Sequence, residues 1–420
     1  MKDIDQFIAS IHRYYSKKED FFLLESQMHN HPASNNSFIA LGSSASVKAF
    51  GNKIQLKEHG KEITVDQNPW EALQEFKRRH NDEWIFGYLS YDLKNFIEDL
   101  NSINEPLLET PDLFFFVPEL LIKIDKYNNV EVLKGALEDD LSLTEIKGHV
   151  SLSQIQQTTK AAYLEKIKVA QNLIREGEFY EINLSHPLEF EFKGRAWDLY
   201  QKMKTSGPVP FGSYIKHSNF EICSSSPERF LSKKGSLISS QPIKGTVSRS
   251  DKDDQSKIQE LLNSEKEQAE NLMIVDLVRH DLSRIAKNGS VGVKNLFEIQ
   301  SFETVHQMVS TVEAEVKEGI SAVEILKACF PMGSMTGAPK IAAMRVIDEL
   351  EDYRRGIYSG AIGYFSPEDD FDFSVVIRTA IIQKEKLFYP VGGAITYDSN
   401  PEQEWEETIL KAKALTNIVN

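Results

Sequence analysis

Cysteine is nearly absent from this chain: two residues, Cys223 and Cys329, in 420. That is too few for a disulfide scaffold, and both read as buried fillers in a reducing, cytoplasmic setting. Long apolar runs are missing too. The longest, residues 113–122, is broken by Pro118 and Glu119 and cannot span a bilayer. The opening residues are acidic and start no apolar signal region. A surplus of basic residues is also lacking, and the formal charge of −15 argues against nucleic acid as a partner. An anionic substrate would therefore depend on locally placed cations or a metal. No His-Glu-x-x-His, Cys-x-x-Cys or Gly-x-Ser-x-Gly occurs, which removes support for a zinc protease, a redox dithiol and a serine hydrolase. Neither cysteine has the glycine-flanked setting of a glutaminase nucleophile, so ammonia would have to come from elsewhere.

What is present is a soluble-type composition, 41% hydrophobic and 26% charged, with length enough for a large core. Residues 1–126 read as short strands and helices with frequent turns, and residues 127–157 as a polar linker. Residues 158–420 form the larger region that follows. Helical spacing is expected at 70–79, in the run that Gly177 stops, over one long stretch at 252–287, and at 321–328, 339–350 and 402–415. Strands are expected at 37–41, 63–65, 84–91, 359–364, 373–382 and 387–397. Runs of strands without regular βαβ alternation indicate an α+β class. In residues 179–185, Tyr180, Ile182 and Leu184 alternate with Glu181, Asn183 and Ser185, so the polar face either lines a wet site or meets solvent.

Several groups could carry chemistry. Gln241-Pro242-Ile243-Lys244-Gly245-Thr246 reads as a turn that sets one lysine between proline and glycine. Ser224-Ser225-Ser226-Pro227-Glu228 is a second stiffened corner bearing a carboxylate. Glu267 and Glu270 share one helix face, as do Glu404 and Glu407, with Lys411 a turn further on. Two such pairs suit a hard cation such as Mg²⁺, and they equally suit an ordinary salt-bridged surface. The glycine-punctuated run from Gly333 to Lys340 enters a helix and suits an anion, but lacks the ending of a nucleotide P-loop. Gly392-Gly393 permits close backbone approach or a simple strand bend.

These segments, in this order, resemble the chorismate-utilising enzymes. The resemblance extends through Glu270-Asn271-Leu272-Met273, Ile377-Arg378-Thr379 and the stretch from Asp398 to Glu407, with Leu23-Leu24-Glu25-Ser26 and Ser37-Phe38-Ile39 matching an N-terminal region. The Pro-Ile-Lys-Gly-Thr form is similar to the aminodeoxychorismate synthase component I branch, where anthranilate synthases usually carry alanine in place of the lysine. The resemblance implies a large β-sandwich wrapped by helices. It implies Mg²⁺ held by Glu270 and Glu407, with Glu267 and Glu404 acting through water, and gripping the ring carboxylate of chorismate. Arg378, Tyr358, Lys411 and the Gly392-Gly393 backbone would hold the pyruvyl carboxylate. Thr246 would contact substrate, and Thr336 and His306 would lie near the ring. Glu228 would be the general acid and Lys244 a covalent nucleophile, kept neutral by the nearby cation and arginine. A separate glutamine amidotransferase subunit would supply ammonia. Anthranilate synthase component I and a non-catalytic chorismate-binding regulator are the alternatives. Glu181 departs from the glutamine common in this branch and from the water-activating lysine of isochorismate synthases.

Overall fold

A computed structural model describes residues 4–28, 31, 36–138, 148–249, 253–302 and 305–417. Its α-helices are α1 (Ile4–Tyr14), α2 (Pro69–Arg79), α3 (Lys160–Glu176), α4 (Ala196–Ser206), α5 (Asp254–Leu262), α6 (Glu265–Ser283), α7 (Ala322–Cys329), α8 (Lys340–Leu350) and α9 (Pro401–Thr416). Among the described residues, no helix is long and apolar enough to cross a membrane.

The sheet grows from one long strand, Asn36–Phe50, paired along its length with Leu113–Asp125 and bulged between Ser43 and Ala45. Its first half also pairs with Asp20–Glu25, which leads through Phe211–His217, Phe220–Ser226 and Thr379–Gln383 to Lys386–Phe388 and Leu188–Lys193. From Leu113–Asp125 the other arm runs through Ile85–Leu89, Ala361–Phe365, Phe371–Val375, Arg229–Lys234 and Leu237–Gln241 to Val305–Glu315. All these pairings are antiparallel.

Side-chain alternation shows how the arms stack. Phe22, Phe38 and Ala40 share one core with Phe86, Phe114, Phe116, Ile215, Ile362 and Ile381, drawn from both arms. Their chain neighbours Phe21, Leu23, Ile39 and Leu41 pack instead with Ile8 and Ile11 of α1 and Trp197 and Tyr200 of α4. Ile85, Leu89 and Phe115 pack with Trp70 of α2, Ile274 of α6 and Leu326 of α7. With a period of two, one face of each layer meets the other layer and the opposite face meets helices. The fold is α+β, a large β-sandwich wrapped by helices. Strands before residue 126 and after residue 158 share this sheet, and the intervening segment contributes Val130–Lys134 and Ser151–Gln157.

Four local expectations are corrected. The helix expected over 252–287 is two, because Ser264 leaves helical geometry (ψ 104°) and its side chain accepts from the Glu267 amide to start α6 afresh. The turn expected at Pro242–Gly245 is a strand, Ile243–Ser248, paired with Val305–Glu315 through a bulge between Ile243 and Thr246. The strand expected over 373–382 is broken at Arg378, which sits at φ 51°. The one expected over 387–397 is also two pieces, Lys386–Phe388 and Val391–Ile395.

Candidate active site

A second, three-stranded sheet organises the site: Glu181–His186 lies between Gly337–Ala338 and Val391–Ile395. Ile182 and Leu184 face a core with Tyr163 of α3, Ala343 of α8 and Trp405 of α9. The polar face is buried as well: Glu181 is 1% exposed, Asn183 7% and Ser185 1%. This settles its orientation inward. Tyr180 does not belong to the apolar face; it precedes the paired strand and is 71% exposed. Gly337, at φ 150°, lets its strand approach closely, since a Cβ there would stand 2.1 Å from the Glu181 carbonyl oxygen.

Lys244 emerges from the bulge in Ile243–Ser248. A bulge adds one residue and re-aims the side chain beside it. Gly245 makes it possible: it adopts φ 81°, and a Cβ there would press within 2.9 Å of Glu267 Oε2 and 2.8 Å of Leu261. The Lys244 amine donates to Glu181 Oε1 at 2.7 Å, while Glu181 Oε2 is buried without a hydrogen-bond partner. Burial pushes the lysine down, but Glu181, Glu270 and Glu228 outweigh it and hold the ammonium above the ordinary lysine range. Three carboxylates thus favour the charged amine at 244, and the expected neutral form would call for the expected cation beside them.

Glu228 sits in the corner between Phe220–Ser226 and Arg229–Lys234. Burial pushes its carboxyl up to about 7, opposed by the Ser334 hydroxyl, by Lys244 and by Arg378. Ser334 Oγ donates to Glu228 Oε1 at 2.7 Å. Arg378 holds a left-handed backbone conformation, and its guanidinium makes no hydrogen bond or ion pair with a described residue; burial pushes its pKa down. A strained, unpaired arginine inside a protein is a ready carboxylate site. Tyr358 is buried, with its phenol pushed up by burial to about 12. Thr336 is fully buried, its hydroxyl donating to the Met332 and Gly333 carbonyls at 3.2 Å each.

Lys411 on α9 donates to the Gly392 carbonyl at 2.6 Å and pairs with Glu407 at 2.7 Å. Gly393 backs onto the Glu404 and Glu407 carboxylates, at 3.4 and 3.7 Å from where its Cβ would lie. Thr246 is exposed and accepts from Gln307 at 3.3 Å. His306 is buried next to it across the strand pair, with its ring nitrogens 2.8 Å from Ser301 Oγ and from Asp254 Oδ1.

Among the described residues, no three acidic, histidine or cysteine side chains form a ready-made metal cage. The chemistry of the donor set nevertheless fits a hard cation. Glu270 Oε1 is buried with no hydrogen-bond partner, and burial pushes its carboxyl up to about 7. Burial likewise raises Glu267 and Glu404. Glu407, nearer the surface, is pushed up by burial but brought below the usual range by Lys411 and Lys266. The Lys266 ammonium stands 3.5 Å from Glu404 and 3.8 Å from Glu270, bridging carboxylates of α9 and α6 as a cation would.

Sequence reasoning missed three contributors: Ser334 as the partner of Glu228, Lys266 between the helices, and the buried pair Glu351–Arg355, which contacts Ser185 and the Asn183 carbonyl. The i,i+4 spacings of Glu351 with Arg355 and of Lys266 with Glu270 are visible locally, while their other partners are remote in sequence.

Residues 19–417 match the family described as chorismate binding enzyme. A site of buried carboxylates, an arginine unpaired among the described residues and a largely enclosed lysine on this sandwich thus has a family, and the chain belongs to the chorismate-binding enzymes. It is 32% identical to anthranilate synthase component 1 of Aquifex aeolicus, over 94% of this chain and 88% of that protein. It is also 32% identical to aminodeoxychorismate synthase component 1 of Escherichia coli, over 94% and 92%. Anthranilate synthase component I from Streptococcus pneumoniae TIGR4 superposes with a TM-score of 0.80 at 28% identity, covering 93% of each chain.

Proposed function

We propose that this chain is the synthase component of aminodeoxychorismate synthase, converting chorismate and ammonia to 4-amino-4-deoxychorismate for 4-aminobenzoate and folate synthesis. Overall identity does not separate this from anthranilate synthase, since relatives of both names are equally similar. The observation that carries the reading is Lys244, a largely enclosed amine, 10% exposed, aimed by a strand bulge at the polar face of Glu181–His186. Alanine, usual in anthranilate synthases, would leave Glu181 with neither oxygen paired.

Glu228, whose carboxyl titrates at about 7, can hold a proton at neutral pH and deliver it to the departing 4-hydroxyl. Lys244, once it has lost its proton, forms a bond to ring C2 as the C4–O bond breaks and both ring double bonds shift by one position. Ammonia then bonds to C4, both double bonds return, the C2–N bond to Lys244 breaks, and the Glu228 carboxylate takes back a proton from the new C4 ammonium. The hydroxyl leaves as water and the enolpyruvyl group stays. Arg378, with Tyr358, Lys411 and the Gly392-Gly393 backbone, holds the pyruvyl carboxylate; Thr246, Thr336 and His306 lie along the ring. Glu270 and Glu407, with Glu267 and Glu404 through water, would hold Mg²⁺, which when bound neutralises the ring carboxylate. Relatives are named component 1, which implies a second component; a glutamine amidotransferase would supply the ammonia.

The test is a product assay on the purified chain with chorismate, Mg²⁺ and an ammonium salt, read by mass spectrometry. A non-aromatic aminated product retaining the pyruvyl group is expected, and Lys244→Ala should abolish it while leaving the fold intact. Anthranilate from the unmodified chain would refute the reading, and near-normal amination by Lys244→Ala would remove the covalent step.

A further inference from the structure

Arg355 lies outside every group discussed so far as reactive, yet all five of its guanidinium N–H donors are used. Nε donates to Glu351 Oε2 at 2.8 Å and Nη2 to Glu351 Oε1 at 2.6 Å. The remaining bonds leave the pair: Nη2 to the Asn183 carbonyl at 2.7 Å, Nη1 to the Met335 carbonyl at 2.7 Å, and Nη1 to Ser359 Oγ at 3.2 Å. These acceptors belong to three separate segments, the polar strand of Glu181, the turn that carries Thr336, and the residue after Tyr358. Glu351 extends the tie, since its Oε1 also accepts from the Ser185 amide at 2.8 Å and hydroxyl at 2.7 Å. The Tyr91 ring, from the N-terminal region, underlies the guanidinium at 4.7 Å. Both charged side chains are 1% exposed.

We propose that Arg355, held by Glu351, is the positioning residue that fixes three walls of the chorismate pocket relative to one another. It touches no reacting atom. A planar fork is needed because the acceptors lie in different directions around one plane; a lysine ammonium can keep the ion pair with Glu351 but cannot span Met335 and Asn183 together. Misplacing a wall by about 1 Å can cost on the order of 100-fold in rate even when every reacting group is present. The proposal rests on the reading that Thr336, Tyr358 and the Glu181 strand face chorismate.

The experiment follows chorismate consumption, whatever the product, by the full-length chain and two variants. Arg355→Lys keeps the buried charge pair; the double variant Arg355→Met with Glu351→Met removes both charges together, which buried pairs tolerate better than loss of one partner. Both are expected to fold, with the thermal transition retained, and to lose about 100-fold in kcat/KM for chorismate. Failure of the unmodified chain to consume chorismate would defeat the functional reading itself. Active starting protein with folded variants of unchanged kcat/KM would overturn the positioning role. So would loss of folding in both variants, because structural support alone would then account for Arg355.

Discussion

Removing the Ser334 hydroxyl offers the sharpest test of Glu228 as a proton donor. The hydroxyl donates to Glu228 Oε1 at 2.7 Å, an interaction that favours the ionised carboxylate and opposes the burial that raises its pKa to about 7. A hydrogen bond to a charged group is worth roughly 1.5–3 kcal/mol, and each pKa unit corresponds to about 1.4 kcal/mol. Ser334→Ala should therefore raise the Glu228 pKa by roughly one to two units, to about 8–9. At pH near 9 the original acid would be about 1% protonated and the variant's roughly 10–50%. The assay is kcat/KM for chorismate from about pH 6 to 9, which reports the free enzyme's groups. Taking the ratio of variant to original at each pH cancels the ionisation of ammonia and of Lys244. The ratio should stay near or slightly below one in acid, since a weaker acid donates more slowly, and should rise by about tenfold or more at the alkaline end. A ratio that is flat with pH, or that falls, would refute the assignment of Glu228 as the acid.

Two further perturbations separate the other charges. Glu181→Gln removes the carboxylate paired with Lys244 at 2.7 Å, so the lysine loses its proton more readily and the alkaline rise in kcat/KM should move to lower pH; no movement, or movement upward, would contradict the ion pair. Glu270→Gln, studied with a chelator present, should stabilise the protein at pH near 8 by about 3 kcal/mol and by almost nothing near pH 4, because a carboxyl raised from 4.5 to about 7 costs stability only as pH rises through that interval. Denaturant melts at the two pH values read the difference, an equal gain at both would be inconsistent with the burial argument, and chorismate turnover by the variant should be lost.

How far the sequence revealed this arrangement depends on whether the determining interaction was local. Burial by alternation placed Ile182 and Leu184 correctly, but Tyr180 continues the pattern one residue beyond the first paired position and is exposed. The break before α6 was legible and missed: Ser264-Glu265-Lys266-Glu267 has the Ser-x-x-Glu spacing of a capping box, and the serine does cap. Gly245 signalled a departure from regular backbone, but glycine marks turns and bulges alike, and only the pairing with Val305–Glu315 distinguishes them. The Glu228–Ser334 contact joins residues 106 positions apart, and Arg355 reaches 172 positions back to Asn183. No periodicity encodes such meetings; they arise where unrelated segments are packed into one layer.

Burial keeps two of the site's carboxyls near neutrality, and their protonation also balances the charges around them. Among the described residues, Glu181, Glu228, Glu267, Glu270, Glu404 and Glu407 gather with the cations Lys244, Lys266, Lys411 and Arg378, so full ionisation would leave an excess of two negative charges. Protonation of Glu228 and Glu270, each raised to about 7, removes that excess. The two protons have different fates. That on Glu228 faces Ser334 and the Lys244 corner, where the proposed reaction would expel a hydroxyl. That on Glu270 occupies a carboxylate with an unpartnered oxygen on α6, where a divalent cation would displace it, since metal ligation requires the deprotonated form. Under the proposed reaction, binding a dianion to a chain of net charge −15 would call for positive charge at the α6–α9 end of the pocket, while the proton at the Glu228 end would be kept for the departing hydroxyl.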